Sequence, residues 1–97
     1  MDTNEPATLR QRIIYRGRVQ GVGFRYTVAS IARRFPVAGY VKNLRDGTVE
    51  LVVEAQPAPL EGFLQEIADS LRGNIEDNST QRLDAQEPLE GFRIRYW

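Results

Sequence analysis

The chain changes from a strand pattern to a helix pattern within one short segment, Gly17-Arg18-Val19-Gln20-Gly21-Val22-Gly23-Phe24-Arg25. Over residues 12–19, apolar residues alternate with arginines, with Ile14 as the exception, which is typical of a half-buried strand. Apolar residues then recur every three or four positions over residues 24–35, as on one face of a helix. The glycines at the junction allow several backbone N–H groups to point at one anion in front of the helix. The segment therefore predicts a phosphate-binding loop.

The middle of the chain predicts a hairpin and a second helix. Strands are expected over residues 37–43 and 48–54, joined by a tight turn at Asp46-Gly47, because glycine accepts a positive φ at low cost. Pro59 suits the first turn of the helix that follows. The apolar stripe of that helix consists of Leu60, Phe63, Leu64, Ile67 and Leu71.

The two ends of the chain have weaker patterns. Polar residues 73–80 predict a loop, residues 81–86 predict a weak fourth strand, and alternation over residues 92–96 predicts a fifth. Residues 1–11 are polar and predict a flexible N-terminal tail in front of a domain that spans residues 12–97.

The order of these elements predicts an α+β fold, the ferredoxin-like split βαβ sandwich. It would consist of β-α-β-β-α-β plus a short fifth strand, with an antiparallel sheet and two helices on one face. A right-handed crossover makes the first two strands parallel and inserts the third between them. Their carboxyl ends then share one edge of the sheet, about 10 Å apart. Because Asn43 closes the second strand, it is expected to meet the glycine loop and Arg25 in one site.

The composition restricts the chemistry of that site. The chain has 97 residues, no cysteine and no histidine, so it lacks thiolate nucleophiles, the commonest general base and the commonest metal ligand. Its thirteen basic and thirteen acidic residues balance, whereas a protein that binds duplex nucleic acid usually has a basic excess. An enzyme of this composition works by positioning and electrostatics, or with carboxylates and lysine. No apolar run approaches the roughly 20 residues of a membrane helix, and a cytoplasmic location is expected.

Two segments together resemble the paired signature of the acylphosphatase family. They are residues 17–25, quoted above, and residues 39–50, which begin Gly39-Tyr40-Val41-Lys42-Asn43-Leu44-Arg45-Asp46-Gly47. The resemblance is close over residues 13–53 and weaker elsewhere. Many bacterial members carry Gly-Pro after the second helix, where this chain has Arg72-Gly73-Asn74-Ile75.

The resemblance implies a small hydrolase of acyl phosphates that needs no metal or cofactor. Arg25 would bind the phosphoryl oxygens, and Asn43 would orient the attacking water. The backbone amides of the loop would cradle the phosphate, through Gln20, Gly21, Val22, Gly23 and Phe24. The implied partner is a small-molecule acyl phosphate, with inorganic phosphate as product and inhibitor. Neither nucleic acid nor membrane is implied, and the protein is expected to be a monomer.

The residues themselves leave alternatives open. The two glycines also suit a simple strand-to-helix turn, Asn43 suits a turn residue before the hairpin, and Arg25 suits a solvated surface position. Three other functions remain as well. The chain is alternatively a module that binds phosphate without turnover, an RNA-binding sheet, or a relative of the acylphosphatase-like module of larger carbamoyl-transfer proteins. The RNA alternative requires stacked aromatics on the open sheet face, and the sequence shows no such pair.

Overall fold

The computed structural model describes residues 7–21, 23–84 and 87–96. Within these ranges the chain forms strands and helices in the predicted order, which confirms the ferredoxin-like α+β fold. The elements are β1 (Leu9–Gly17), α1 (Phe24–Ala32), β2 (Ala38–Asn43), β3 (Val49–Ala55), α2 (Pro57–Ser70), β4 (Ile75–Leu83) and β5 (Phe92–Arg95). None of the helices in the described ranges is long and apolar enough to cross a membrane.

The sheet has the strand order β4-β1-β3-β2-β5. Because β3 is antiparallel to both β1 and β2, those two strands are parallel to each other, as predicted. The sheet is mixed rather than wholly antiparallel, because β5 pairs parallel with β2. The reason is the position of the strand ends. Leu83 at the end of β4 pairs with Arg10, and Phe92 at the start of β5 pairs with Gly39, so both lie at the end of the sheet where β1 and β2 begin.

The core lies between one face of the sheet and the two helices. β3 is buried along nearly its whole length, and Leu51 and Val53 are fully enclosed. Each helix places its predicted apolar stripe against the sheet. The ring of Phe63 packs 6.0 Å from Phe35 and 5.8 Å from Phe92, measured between centroids. It therefore joins α2 to the segment after α1 and to the start of β5.

The prediction for the last third of the chain was wrong in one element. Residues 73–80 were expected to be a loop and residues 81–86 a strand, but β4 begins at Ile75 and ends at Leu83. Most of its side chains are exposed, so it has no apolar alternation to signal a strand. Its backbone nevertheless pairs with β1 over eight positions, from Arg10↔Leu83 to Gly17↔Ile75.

The boundary of the expected N-terminal tail also moves. β1 begins at Leu9, three residues before the expected start at Arg12, and Leu9 pairs with Ala55 of β3. Backbone pairing extends β1 beyond the alternating apolar pattern. The tail predicted over residues 1–11 is therefore too long at its C-terminal end, while residues 1–6 lie outside the described residues.

The sheet face opposite the helices carries ion pairs. Arg10 contacts Glu54 at 2.6 Å and Arg12 contacts Glu50 at 2.5 Å, measured nitrogen to oxygen. The guanidinium of Arg95 lies 4.5 Å from the ring centroid of Tyr40. These three arginines thus have partners within the protein. The described residues of this face offer no pair of free aromatic rings, which the RNA alternative requires.

The close approach of β2 and β3 at Gly39 generates the first prediction. Gly39 has a φ of +150°, and a Cβ there would lie 1.9 Å from the carbonyl oxygen of Val52. Gly39→Ala is expected to lower the free energy of unfolding by roughly 3 kcal/mol or more, measured by urea denaturation. Gly47→Ala is the control, because its φ is +92° but a Cβ would meet nothing within 4 Å. It should cost only about 1–2 kcal/mol. Equal losses in the two variants would contradict the steric explanation.

Candidate active site

A cleft lies at the sheet edge where β1 and β2 end. It has a volume of about 200 Å³ and is lined by Val19, Gly21, Gly23, Phe24, Arg25, Tyr26 and Asn43. Most of the predicted site residues therefore meet in one place. Gln20 lies beside the cleft without lining it, and Val22 lies outside the described residues. The parallel arrangement of β1 and β2 brings the loop and Asn43 together.

The backbone of the loop leaves the start of α1 open. Gly21 and Gly23 have φ values of 78° and 77°, in the left-handed region that glycine adopts at no steric cost. Gly23 is the N-cap of α1, and no side chain in the described ranges caps the helix. The first turn also contains no acidic residue. Its N–H groups therefore lack a side-chain acceptor and present partial positive charge to the cleft.

Arg25 adds a full positive charge at the same helix end. It is half-buried, and no carboxylate of the described residues forms an ion pair with it. Its guanidinium carbon lies 4.9 Å from the ring centroid of Tyr96. A cation beside the positive end of a helix is unfavourable, and an anion bound between them would reverse the sign of that interaction. The cleft is thus suited to an anion.

Asn43 contributes a polar atom without a partner. Its side-chain oxygen Oδ1 is buried and accepts no hydrogen bond from any described residue. A buried acceptor without a donor is costly, so such atoms are rare and often mark a ligand or water site. The hairpin that follows is closed by other groups. The N–H and hydroxyl of Thr48 donate to Asp46 Oδ1 at 3.1 and 2.6 Å, which holds the pKa of Asp46 below its usual value.

The buried side chain of Phe24 anchors the end of the loop in the core. Its side chain is only 2% exposed, and its ring centroid lies 5.5 Å from that of Tyr15 in β1. Burial also raises the pKa of Tyr15, whose phenol lies in the same apolar layer. Phe24 therefore fixes where α1 begins, and only its backbone is placed to meet a ligand.

Gln20 ties the loop to the hairpin between β2 and β3. Its amide nitrogen Nε2 donates to the carbonyl oxygens of Leu44 and Thr48, both at 2.8 Å. These two bonds use both protons of the side-chain amide, so only the backbone N–H of Gln20 remains for a ligand. The same side chain thereby holds the loop that carries Arg25 next to the strand that carries Asn43.

Asn74 ties the other side of the loop, and the sequence did not predict it. The backbone N–H of Arg18 donates to the carbonyl of Asn74 at 2.8 Å, and Asn74 Nδ2 donates to the carbonyl of Arg18 at 3.1 Å. Asn74 lies between α2 and β4. No periodic signal could have identified this contact, since the two residues are 56 positions apart. For Tyr96, the alternating pattern predicted a place in the fifth strand and no role at the site.

Comparison with known proteins agrees with the fold and shows the family. The family model described as Acylphosphatase matches residues 11–94. An acylphosphatase from a Synechococcus strain is 41% identical over 87 residues, which covers 90% of this chain and 93% of that protein. The crystal structure of acylphosphatase from Bacillus subtilis superposes with a TM-score of 0.81 and 36% identity, covering 91% of this chain and 99% of that one. The chain therefore belongs to the acylphosphatase family.

The same fold also occurs within a much longer protein. The crystal structure of HypF from T. kodakarensis matches with a TM-score of 0.79 and 30% identity, covering 90% of this chain but 12% of that one.

The two bonds of Gln20 generate a prediction about loop position. Gln20→Ala removes one hydrogen bond from each of two carbonyl groups, which keep the backbone N–H groups of Gly47 and Leu44 as donors. Loss of the two bonds should lower the free energy of unfolding by roughly 1–3 kcal/mol. It should also weaken phosphate binding, because the loop is no longer tied to the hairpin. Denaturation and titration with inorganic phosphate measure the two effects. Gln65→Ala, which removes an exposed amide bonded to Asp69 on α2, is the control and should change neither. A folded Gln20→Ala variant with parental stability and affinity would show that the tie is dispensable.

Proposed function

We propose that this cleft hydrolyses acyl phosphates to a carboxylate and inorganic phosphate, by in-line attack of water without a metal ion. Arg25 and Asn43 are the catalytic residues of this proposal. The observation that carries it is the meeting of three groups in one cleft. Among the described residues, Arg25 has no carboxylate partner, the N-terminus of α1 has no side-chain cap, and the buried Oδ1 of Asn43 has no donor. Membership of the acylphosphatase family supports it independently.

The chemistry suits a chain without histidine or cysteine. An acyl phosphate releases a carboxylate, which is a good leaving group and needs little help from a general acid. The oxygen of water forms a bond to phosphorus while the bond from phosphorus to the acyl oxygen breaks, and the carboxylate leaves with the electron pair. A phosphoryl oxygen of the substrate takes the proton from water, since an asparagine amide is no base near neutral pH. The protein supplies positioning and electrostatic stabilisation.

Arg25 and the loop amides divide the binding of the phosphoryl group. The guanidinium is a planar fork that bonds two oxygens of one phosphate. The backbone N–H groups of residues 20–24 are assigned to the remaining charge. The open first turn of α1 supports this assignment, because no acidic side chain of that turn competes for the same donors.

Asn43 is assigned to the attacking water. Its side chain donates and accepts at once, which suits a neutral nucleophile that has to be aimed. Support comes from the buried Oδ1, which accepts nothing from the described residues, and from the hairpin bonds of Asp46 and Thr48, which leave Asn43 no evident part in the turn.

A monomer that works in the cytoplasm completes the proposal. Tyr26 and Tyr96 are the large apolar side chains that are exposed within the described ranges. A stable dimer usually needs a larger apolar patch than two rings. The absence of cysteine from the chain is compatible with a reducing compartment.

Hydrolysis is expected to be independent of metal ions. The chain has no histidine or cysteine, and its described residues form no group of three acidic side chains that could hold a metal. Release of inorganic phosphate from acetyl phosphate should continue at the parental rate in excess EDTA. Loss of activity in EDTA that a divalent ion restores would overturn the mechanism. Stoichiometric binding without release would instead support the non-enzymatic alternative.

Arg25→Ala is expected to be nearly inactive, with a loss of roughly 3–5 kcal/mol in kcat/KM. Arg25→Lys should also be badly impaired, because lysine keeps the charge but loses the fork. In both variants, competitive inhibition by inorganic phosphate should be weaker than in the parent. Arg33→Ala is the matched control, because Arg33 is exposed at the other end of α1. If Arg25→Ala stays within a few-fold of the parent while folded, Arg25 is only a surface residue.

Asn43→Ala should separate turnover from binding. An interaction with the attacking water contributes to the reaction but not to the binding of inorganic phosphate. We expect kcat to fall by about 10²-fold or more while the dissociation constant of phosphate changes little. Circular dichroism and a melting curve must show a folded variant, and Asn78→Ala on exposed β4 is the control. Near-parental turnover in folded Asn43→Ala would refute the water-orienting role.

A further inference from the structure

Two exposed aromatic rings stand together beside the cleft. Tyr26 is 63% exposed and Tyr96 is 58% exposed, whereas the other large apolar side chains in the described part of the chain are at least partly covered. Their hydroxyl oxygens lie 3.3 Å apart, within hydrogen-bond distance. Tyr26 belongs to the first turn of α1 and Tyr96 follows β5, so this contact joins two elements that are 70 residues apart in sequence.

Tyr96 also contacts Arg25. The guanidinium carbon of Arg25 lies 4.9 Å from the centroid of the Tyr96 ring, within the range of a cation–π interaction. Other arginines of the described ranges form ion pairs with carboxylates, as Arg10 does with Glu54 and Arg12 with Glu50. Arg25 has an aromatic ring instead, at a helix N-terminus whose first turn contains no acidic side chain.

The kind of partner matters for an arginine that binds phosphate. A carboxylate would occupy the N–H donors of the guanidinium and compete with the phosphoryl oxygens for them. An aromatic ring attracts the cation through its face, while the N–H donors lie in the guanidinium plane and stay free. A ring partner also restricts a long, flexible side chain before the ligand arrives, which lowers the entropy lost on binding.

We propose that Tyr96 is a positioning residue, which holds the guanidinium of Arg25 toward the phosphate cleft and leaves its N–H donors free. This inference rests on the proposed function of Arg25. Tyr96 acts through Arg25 and touches neither the substrate nor the water. Tyr26 braces the Tyr96 ring through the hydroxyl contact.

The test compares Tyr96→Leu, which removes the ring, with Tyr96→Phe, which keeps the ring and removes the hydroxyl. Tyr96→Leu should raise the dissociation constant of inorganic phosphate by roughly two- to fivefold, as loss of an exposed cation–π contact would. It should lower kcat/KM for acetyl phosphate by a similar factor or more. Tyr96→Phe should retain at least half of the parental affinity. Because Tyr96 is exposed and follows the last strand, both variants should melt at the parental temperature.

The control is Tyr40→Leu. Tyr40 makes the same type of contact with Arg95, at 4.5 Å, but on the sheet face opposite the helices. The Tyr40→Leu variant should bind phosphate with the parental affinity. Equal weakening in folded Tyr40→Leu and Tyr96→Leu would overturn the proposal, as would equal weakening in Tyr96→Phe and Tyr96→Leu.

Two further measurements show whether Tyr96 acts through Arg25. The NMR signal of the Arg25 Nε–H group, assigned by its loss in Arg25→Lys, should be displaced by the ring current in the parent and in Tyr96→Phe, but not in Tyr96→Leu. In an Arg25→Ala background, Tyr96→Leu should no longer change phosphate affinity. The positioning role would be refuted if the Arg25 Nε–H signal had the same chemical shift with and without the Tyr96 ring. It would also be refuted if Tyr96→Leu weakened phosphate binding as much in the Arg25→Ala background as in the parent.

These readouts separate the inference from the proposed function. If phosphate affinity does not depend on Arg25 at all, the proposed function of Arg25 is wrong, and the inference fails with it. If phosphate affinity depends on Arg25 but not on the Tyr96 ring, only the positioning role of Tyr96 is wrong. The NMR displacement requires no turnover, so an inactive preparation cannot obscure the result.

Discussion

The position of β3 between β1 and β2 is the constraint on which the site depends. A central strand has to pair its backbone groups on both sides, because an unpaired N–H or C=O in the buried sheet is costly. β3 meets this requirement with antiparallel ladders to β1 and β2, and its apolar side chains fill the core beneath the helices. Those two ladders make β1 and β2 parallel. The loop after β1 and the last residue of β2 are thereby brought to one edge of the sheet.

The loop at that edge is held from both sides before any ligand binds. Gln20 bonds it to the hairpin, Asn74 bonds it to the segment after α2, and the buried ring of Phe24 fixes the start of α1. Donors that are already in place lose little entropy and need little reorganisation when a charged group arrives. Such contacts on both sides of the loop are what a mechanism based on positioning requires, and they matter most in a chain without histidine or cysteine.

The protein treats its arginines differently according to where they lie. On the open sheet face, Arg10 and Arg12 are paired with carboxylates that neutralise them. At the helix N-terminus, Arg25 contacts a ring and has no carboxylate partner among the described residues. The local cost of a cation beside the helix dipole is small but real. This arrangement of Arg25 and the helix N-terminus concentrates positive charge in the cleft, where a phosphoryl group would bind.

The sequence by itself determined the order of the strands and helices. It also predicted that the glycine loop, Arg25 and Asn43 meet in one place. Apolar periodicity, glycine and proline are local signals, and the parallel relation of β1 and β2 follows from the handedness of the crossover. The sequence missed most of β4, because an edge strand with exposed side chains is held by backbone pairing and shows no apolar period. Only the tertiary structure decided that β5 runs parallel to β2, that Gln20 and Asn74 tie the loop, and that Tyr96 lies against Arg25. These contacts join residues far apart in the chain, and their partners depend on how the packed elements meet in space, which no pattern along the sequence specifies.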